Sequence, residues 1–262
     1  MSEILIREDA DGIATLTMNA PDRLNALSDA MLAALQAQID ALVKDRTTRV
    51  VILKANGKAF CAGHDLKEMQ AGRQAEDGGR AYFADLFARC ARVMTGLMRL
   101  PQPVIAAPHG IATAAGCQLV ASCDLAIAAE GTRFGVNGVN IGLFCSTPMV
   151  ALSRNIPRKQ AFEMLTTGTF IESEKAEALG LINRTVPHAL LQDEARALAD
   201  TLAKKLNPAV RIGKRTFYEQ LEMGIDAAYA HASAVMVENM MWRDTEEGIS
   251  AFIEKRPPNW QA

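Results

Sequence analysis

The chain has 262 residues, a hydrophobic fraction of 49% and a formal net charge of -2. That is enough for one large core with a helical appendage, and the near-neutral balance gives no electrostatic footprint for nucleic acid. No apolar run approaches bilayer length, so no membrane contact is expected; five cysteines without CxxC spacing and four histidines without an HExxH pair predict neither a disulfide frame nor a metal site.

The first residues, MSEILIREDADG, lack the basic and apolar parts of a secretory signal and are too acidic for a transit peptide. With reduced thiols, this predicts a cytosolic protein. Ile4–Arg7 and Ile13–Met18 flank Asp11-Gly12 and read as a β-hairpin. Ser28 is a suitable N-cap for a helix over Asp29–Lys44, with Leu32, Leu35, Ile39, Leu42 and Val43 on its apolar face. Val50–Leu53 is a short buried strand. A loop over Lys54–Asp65 and a long helix from about Glu76 to Leu100 follow. Val104–Ala107 and Leu125–Ala128 are further strands. The alternation of strand and helix predicts parallel pairing through right-handed crossovers. The last third reads as helices: Pro157–Thr167, Ser173–Leu179, Leu190–Lys205, Pro208–Met223, Asp226–Met241 and Glu246–Lys255. Ser173 resembles a cap and Gly180 a C-terminal stop. The Met-rich stretch Val235–Met241 suits either an interface or an ordinary core face.

Two stretches carry the chemistry. Val104–Asp124 reads as strand, tight turn at Pro108-His109-Gly110, and a helix opening on Ala114-Ala115-Gly116. Small residues there let a ligand approach the backbone, and the first N–H groups of a helix have no partner inside it. Such N–H groups suit a phosphate or an oxygen gaining negative charge. Close helix–sheet packing asks for the same small residues, so this stretch alone leaves both readings open. Lys58–Met69, KAFCAGHDLKEM, also follows a strand and places Ala62-Gly63 before a helix start at Asp65. Loops after parallel strands gather at one end of a sheet, where two converging N–H groups would form an oxyanion hole.

These segments, with PDRLNALS, HGIATAAGCQLVASCDLAIAAE, FGVNGVNIGLF and EGISAFIEKRPPNW, resemble the crotonase, or enoyl-CoA hydratase/isomerase, family over essentially the whole chain. The resemblance implies an α/β fold of the ClpP/crotonase type. Residues 1–200 would form a spiral of ββα units and residues 201–262 a helical trimerisation region, assembled as a homotrimer or a dimer of trimers. It implies an acyl-CoA thioester as substrate, with no separate cofactor. The thioester oxygen would be held by the backbone N–H groups of His64 and Ala115. Coenzyme A would lie along Lys58, Ala59, Phe60, Ala62, Gly63, His64, Asp65 and Leu66, with Arg23, Leu24, Phe252 and Lys255 as further contacts.

One departure from the family bears on the reaction. The hydratases carry two glutamates that activate water and move the proton; at those positions this chain has Gln118 and Gly138. Glutamine orients a water but transfers no proton near neutral pH, and glycine offers no side chain. The GHDLKE, GCQLVASCD and NIGLFCSTP segments resemble a subgroup that shares both absences. The expectation is therefore an acyl-CoA-binding protein whose hydratase activity is at least ~10³-fold below that of a two-glutamate enzyme. Restoring both acids should raise it, unless Gly138 needs a positive φ. Two alternatives stand beside this. One is a decarboxylase or thioesterase using the same hole; the other is an acyl-CoA-binding protein without turnover. His64 either acts through its imidazole or lends only its N–H, with the ring facing coenzyme A or solvent. Asp65 and Glu68 suit the start of the next helix. Cys145 is a structural thiol or a nucleophile without a local histidine. Asn137 and Asn140 either bind a polar group or form turns.

Overall fold

The computed structural model describes residues 3–261. It opens with β1 (Leu5–Ala10) and β2 (Ile13–Met18), antiparallel through Asp11 and Gly12, whose φ values of 54° and 77° make the two-residue turn that an Asp-Gly pair favours. In α1 (Asp29–Lys44), Ser28 Oγ accepts from the Met31 N–H at 3.2 Å, as its cap role requires. The buried face of α1 carries Met31, Leu32, Leu35, Ile39 and Leu42, while Val43, expected there, is half exposed. Then come β3 (Val50–Ala55), α2 (Leu66–Gly72), α3 (Arg80–Arg99), β4 (Val104–Ala106), β5 (Ile111–Thr113), α4 (Ala115–Ala121), β6 (Leu125–Ala129) and β7 (Arg133–Gly135). The chain continues through α5 (Pro148–Asn155), α6 (Arg158–Thr167), β8 (Ile171–Glu172), α7 (Ser173–Leu179), β9 (Arg184–Val186) and α8 (Leu191–Ala203). It ends in α9 (Asn207–Leu221), α10 (Ile225–Met240) and α11 (Arg243–Ile253).

A six-stranded sheet runs β1-β2-β3-β4-β6-β9, parallel throughout after the first pair; β5, β7 and β8 form a second, smaller sheet. The central strands β3, β4 and β6 are buried on both faces and are almost continuously apolar, whereas the edge strand β1 is polar and exposed at its end. Along β3, Val51 and Leu53 face the main core with α1 and α3, while Val50 and Ile52 face Leu191, Ala195 and Ala199 of α8. The α/β class and parallel pairing match the sequence reading. Two local readings change. A strand, β5, separates the turn at 108–110 from α4. Ser173 is the first residue of α7 rather than its cap, and its hydroxyl meets Glu174 Oε2 at 3.2 Å. Gly180 ends α7 in a left-handed conformation, φ 85°, as expected.

One buried cluster pins the helical last third to the sheet. Lys214 Nζ on α9 donates to Leu97 O and Gln102 O at 2.9 Å and to Asp124 Oδ2 at 2.6 Å; the Tyr218 hydroxyl donates to Asp124 Oδ1 at 2.8 Å. Beyond it, α10 packs on α9 and α11 on α10. Met236, Val237, Met240 and Met241 are exposed, so the Met-rich stretch is not a core face of this chain.

Candidate functional site

The loop after β3 lies against the segment that leads into α4. Phe60 N–H donates to His109 O, Cys61 N–H to Ile111 O, and Thr113 N–H to Cys61 O, at 3.0–3.1 Å. Gly116 in the first turn of α4 faces the Cys61 carbonyl so closely that any side chain there would collide with it. Gly63, at φ 88°, packs on the helix start: a Cβ there would lie 3.0 Å from Ala114 Cβ and 3.4 Å from Ala115 N. On its other side this loop is held by Leu27 N–H to Gly63 O at 2.7 Å and Ala62 N–H to Leu24 O at 3.1 Å.

Ala114 turns the chain into α4 at φ 49°, ψ -119°, a conformation that normally calls for glycine. Its own N–H donates to Gly135 O at 2.8 Å. Ala115 is then the first residue of α4, and its N–H has no intrahelical acceptor. Among the described residues, neither the Ala115 N–H nor the His64 N–H donates to a main-chain carbonyl. The two small-residue loops pack together at Gly63, and each carries a backbone donor with no main-chain acceptor among the described residues.

The His64 imidazole is turned inward rather than to solvent. It packs edge-on against Phe87 at 5.7 Å, its Nδ1 lies 3.4 Å from Leu27 O, and its buried Nε2 has no partner among the described residues. Burial lowers its pKa below the ordinary histidine value, against a smaller opposite pull from Leu27 O, so the ring is neutral at pH 7. Asp65 caps α2, accepting from the Lys67 and Glu68 N–H groups at 2.9 and 3.2 Å. Arg23 forms ion pairs with Asp65 and Glu68, and Glu68 Oε2 accepts from the Asp29 N–H at 2.8 Å. These acids are therefore committed to structure. Lys58 and Leu66 are exposed, whereas Ala59 and Phe60 are buried, with Phe60 in the main core. Arg23, Leu24, Ala62, Gly63, His64, Asp65 and Ala115 are brought together. Phe252 and Lys255 are not: Phe252 is 85% exposed near the end of α11 and Lys255 follows it, on a helix that packs mainly on α10.

The two positions without acids differ in kind. Gln118 is only 5% exposed, one turn into α4, and its Oε1 has no hydrogen-bond partner among the described residues. It borders a cleft of about 1590 Å³ lined also by Met94, Met98, Ala151, Phe217 and Leu221, which does not extend to His64 or Ala115. Gly138 is the buried residue of a 3-10 turn, Asn137–Ile141, and does not have a positive φ. Its constraint is space: the Leu143 carbonyl and Cys145 Sγ stand where its side chain would begin. Burial raises the Cys145 thiol pKa, and pushes the Cys117 thiol up to about 12, so neither is a ready nucleophile. Asn137 Oδ1 accepts from Thr113 Oγ1 at 2.6 Å and Asn140 Nδ2 donates to Gly168 O at 3.3 Å; both amides serve the fold. His109, to which the sequence assigns no role, is buried and pairs through Nε2 with Gly57 O at 2.7 Å. Its only local signal is its place between Pro108 and Gly110.

Residues 8–262 match the enoyl-CoA hydratase/isomerase family model. The human mitochondrial enoyl-CoA hydratase domain-containing protein 3 is 46% identical over 250 residues, which cover 95% of this chain and 81% of that protein. The crystal structure of that human protein superposes with a TM-score of 0.93 at 45% identity, covering 98% of this chain and all of the other. An enoyl-CoA hydratase from Mycobacterium smegmatis superposes with a TM-score of 0.95 at 53% identity over the full length of both chains. The crotonase-type α/β fold and the subgroup resemblance both stand. The cytosolic expectation does not: five curated relatives, from human, rat, frog, mouse and zebrafish, are named as mitochondrial proteins. Reduced thiols and a near-neutral charge do not separate the two compartments.

Proposed function

The chain belongs to the enoyl-CoA hydratase/isomerase family, and from that premise we propose that it binds an acyl-CoA thioester and polarises its carbonyl between the N–H groups of His64 and Ala115. The observation that carries this reading is the pair of donors without main-chain acceptors, on loops packed against each other at Gly63. A thioester oxygen between them would take up both hydrogen bonds, and these strengthen as negative charge develops on it. Arg23, Leu24, Lys58 and Ala62 to Leu66 line the same edge and are the proposed contacts for coenzyme A. Ala59 and Phe60 would contribute through their backbone.

Polarisation makes Cβ electrophilic but moves no proton. Hydration needs a base to take a proton from water and an acid to supply one at Cα. Gln118 and Gly138 provide neither, and the neutral His64 ring is turned toward Leu27 and Phe87. Hydratase turnover is therefore weak in this reading. The closed space at Gly138 favours a second one, chemistry on the same hole that needs no carboxylate pair, such as decarboxylation or thioester hydrolysis. We further propose that residues 1–200 form the spiral core and 201–262 an oligomerisation region, in a homotrimer or dimer of trimers. The exposed Ile225, Tyr229, Met236, Met241, Phe252 and Ile253 support it.

Purified protein assayed against a panel of acyl-CoAs tests the proposal. Micromolar binding with crotonyl-CoA hydration at least ~10³-fold below a two-glutamate enzyme is expected. Rapid hydration would defeat the argument from the missing acids. Absence of acyl-CoA binding would defeat the thioester site itself.

A further inference from the structure

We infer that the cleft between α3 and α9 binds a single-chain anionic amphiphile, with its charged head on Arg46, Arg99, Arg211 and Arg215 and its aliphatic chain along α9. The cleft measures about 1590 Å³ and does not extend to His64 or Ala115. At one end it collects the four arginines, from just past α1, from the end of α3 and from the first half of α9. None of the four makes an ion pair among the described residues. The acids that line the cleft are engaged elsewhere: Asp124 with Lys214 at 2.6 Å, Glu219 with His231 at 3.0 Å and Glu222 with Arg154 at 3.5 Å. Glu238 on α10 remains, one negative charge against four positive ones. Arg211 is partly buried; burial and the neighbouring Arg46 both lower its pKa, with Asp45 opposing them. Its guanidinium donates to the Asp45 carbonyl at 3.4 Å, while the Asp45 carboxylate is taken by Arg7 at 2.8 Å. Guanidinium groups gathered without a carboxylate repel one another and lose hydration, and a bound anion offsets both costs.

Past the arginines the lining turns apolar. Val43, Phe217 and Leu221 line the cleft and are half or more exposed. Val43 fits the apolar period of α1, yet it borders the cleft instead of the core. Leu221 follows Arg211 by ten residues on α9, about 15 Å along the axis at about 1.5 Å per residue. An extended chain of about twelve carbons spans that length, at about 1.2 Å per bond. A bare anion has no use for this wall, and an uncharged lipid has no use for the arginines. The two together select a charged head on an aliphatic chain. The head is a carboxylate, as in a fatty acid, or a phosphate, as in a lysophospholipid; the arginine fork pairs with either. Ile225, Tyr229, Met236, Met241, Phe252 and Ile253, the exposed residues assigned above to the oligomer, do not line this cleft, so the site and that assembly use different faces.

Calorimetric titration of the full-length protein, first saturated with acetyl-CoA to fill the thioester site, tests this with dodecanoate, dodecyl phosphate, dodecanol and inorganic phosphate. At least one of the two charged amphiphiles is expected to bind about tenfold tighter than dodecanol and than inorganic phosphate, the discrimination of charge-assisted hydrogen bonds. The tighter of the two names the head, carboxylate or phosphate, and either result upholds the inference. The double variant Arg46→Gln, Arg99→Gln, at two exposed positions, should weaken that binding about tenfold, and added salt should weaken it in the wild-type protein. Dodecanol binding as tightly as the charged amphiphiles, inorganic phosphate binding as tightly as dodecyl phosphate, or an affinity that neither the double variant nor salt changes overturns the inference. Displacement of dodecanoate by acetyl-CoA also overturns it, because the chain would then lie in the thioester site. Absence of binding by both amphiphiles overturns it too, and leaves a second copy of the chain as the cover of this cleft. If acetyl-CoA itself does not bind, the thioester site falls, while the dodecanoate titration still decides this inference.

Discussion

The carbonyl oxygen of Leu143 occupies the space that a Cβ on Gly138 would need, and Cys145 Sγ lies 2.8 Å from the same point. The Leu143 N–H in turn donates to Gly138 O at 3.0 Å, so the turn is closed on itself. A side chain at 138 forces the backbone of 142–145 to move. Gly138→Ala should cost about 1–3 kcal/mol of stability, read from the urea midpoint. Gly138→Glu should cost at least as much and add no hydratase activity, whereas Gln118→Glu is close to isosteric and should fold normally. A fully stable Gly138→Glu protein would show that the turn opens freely.

Ala114 stands at φ 49°, ψ -119°, which strains any residue with a Cβ. Such conformations cost about 1–3 kcal/mol, while glycine adds about 0.5–1 kcal/mol of chain entropy to lose. Ala114→Gly should therefore stabilise the protein by about 1 kcal/mol. Denaturation midpoints of the two proteins check this directly, and a loss of stability would mean that Ala114 Cβ contributes more by packing on Gly63 than it costs by strain.

What was legible in the sequence had local causes. Asp11-Gly12 sets the hairpin, Ser28 caps α1 and Gly180 stops α7, each through its own backbone preference. The small residues at Ala114-Ala115-Gly116 and Ala62-Gly63 pointed to two loops that do meet. Strands of two or three residues, such as β5, β7, β8 and β9, carry no period to read. The orientation of His64 depends on Phe87, a residue of α3 with no sequence proximity to it. At Gly138 the obstruction is a backbone carbonyl five residues on, which no side-chain pattern reveals.

Lys214 is 9% exposed and shares Asp124 with Tyr218. Burial lowers the lysine pKa, and the Asp124 carboxylate opposes that shift. Removing the ammonium by Lys214→Met leaves Asp124 partly buried with only the Val104 N–H and Tyr218 hydroxyl, and strands the carbonyls of Leu97 and Gln102. A loss of about 3–5 kcal/mol is expected. Because the pair joins α9 to the sheet, limited proteolysis should also accelerate between α8 and α9, near residues 204–206. Unchanged stability and cleavage would mean that α9 is held by its apolar contacts alone.

Two histidines set how stability depends on pH. Burial lowers the folded pKa of His109 below the ordinary histidine value, opposed by its bond to Gly57 O and reinforced by the His188 ring 5.7 Å away. Burial lowers that of His64 in the same direction, with Leu27 O and Asp29 pulling upward and Arg89 downward. At pH 7.5 both are neutral whether the chain is folded or not, and pH has no leverage through them. Below about pH 6.5 the unfolded chain takes up protons that the folded one resists, so stability falls as pH falls toward the folded values. Between pH 7.5 and 5.5 the loss is at most about 1.4 kcal/mol per histidine. The acids with depressed pKa values, such as Glu247 held at about 2 by Arg256, stay ionised throughout this window and contribute no slope. Urea titrations at the two pH values should show the loss, and His109→Gln, which keeps a donor for Gly57 O, should remove its share. Equal stability at pH 7.5 and 5.5 would mean that both imidazoles take up a proton in the folded protein as readily as in water.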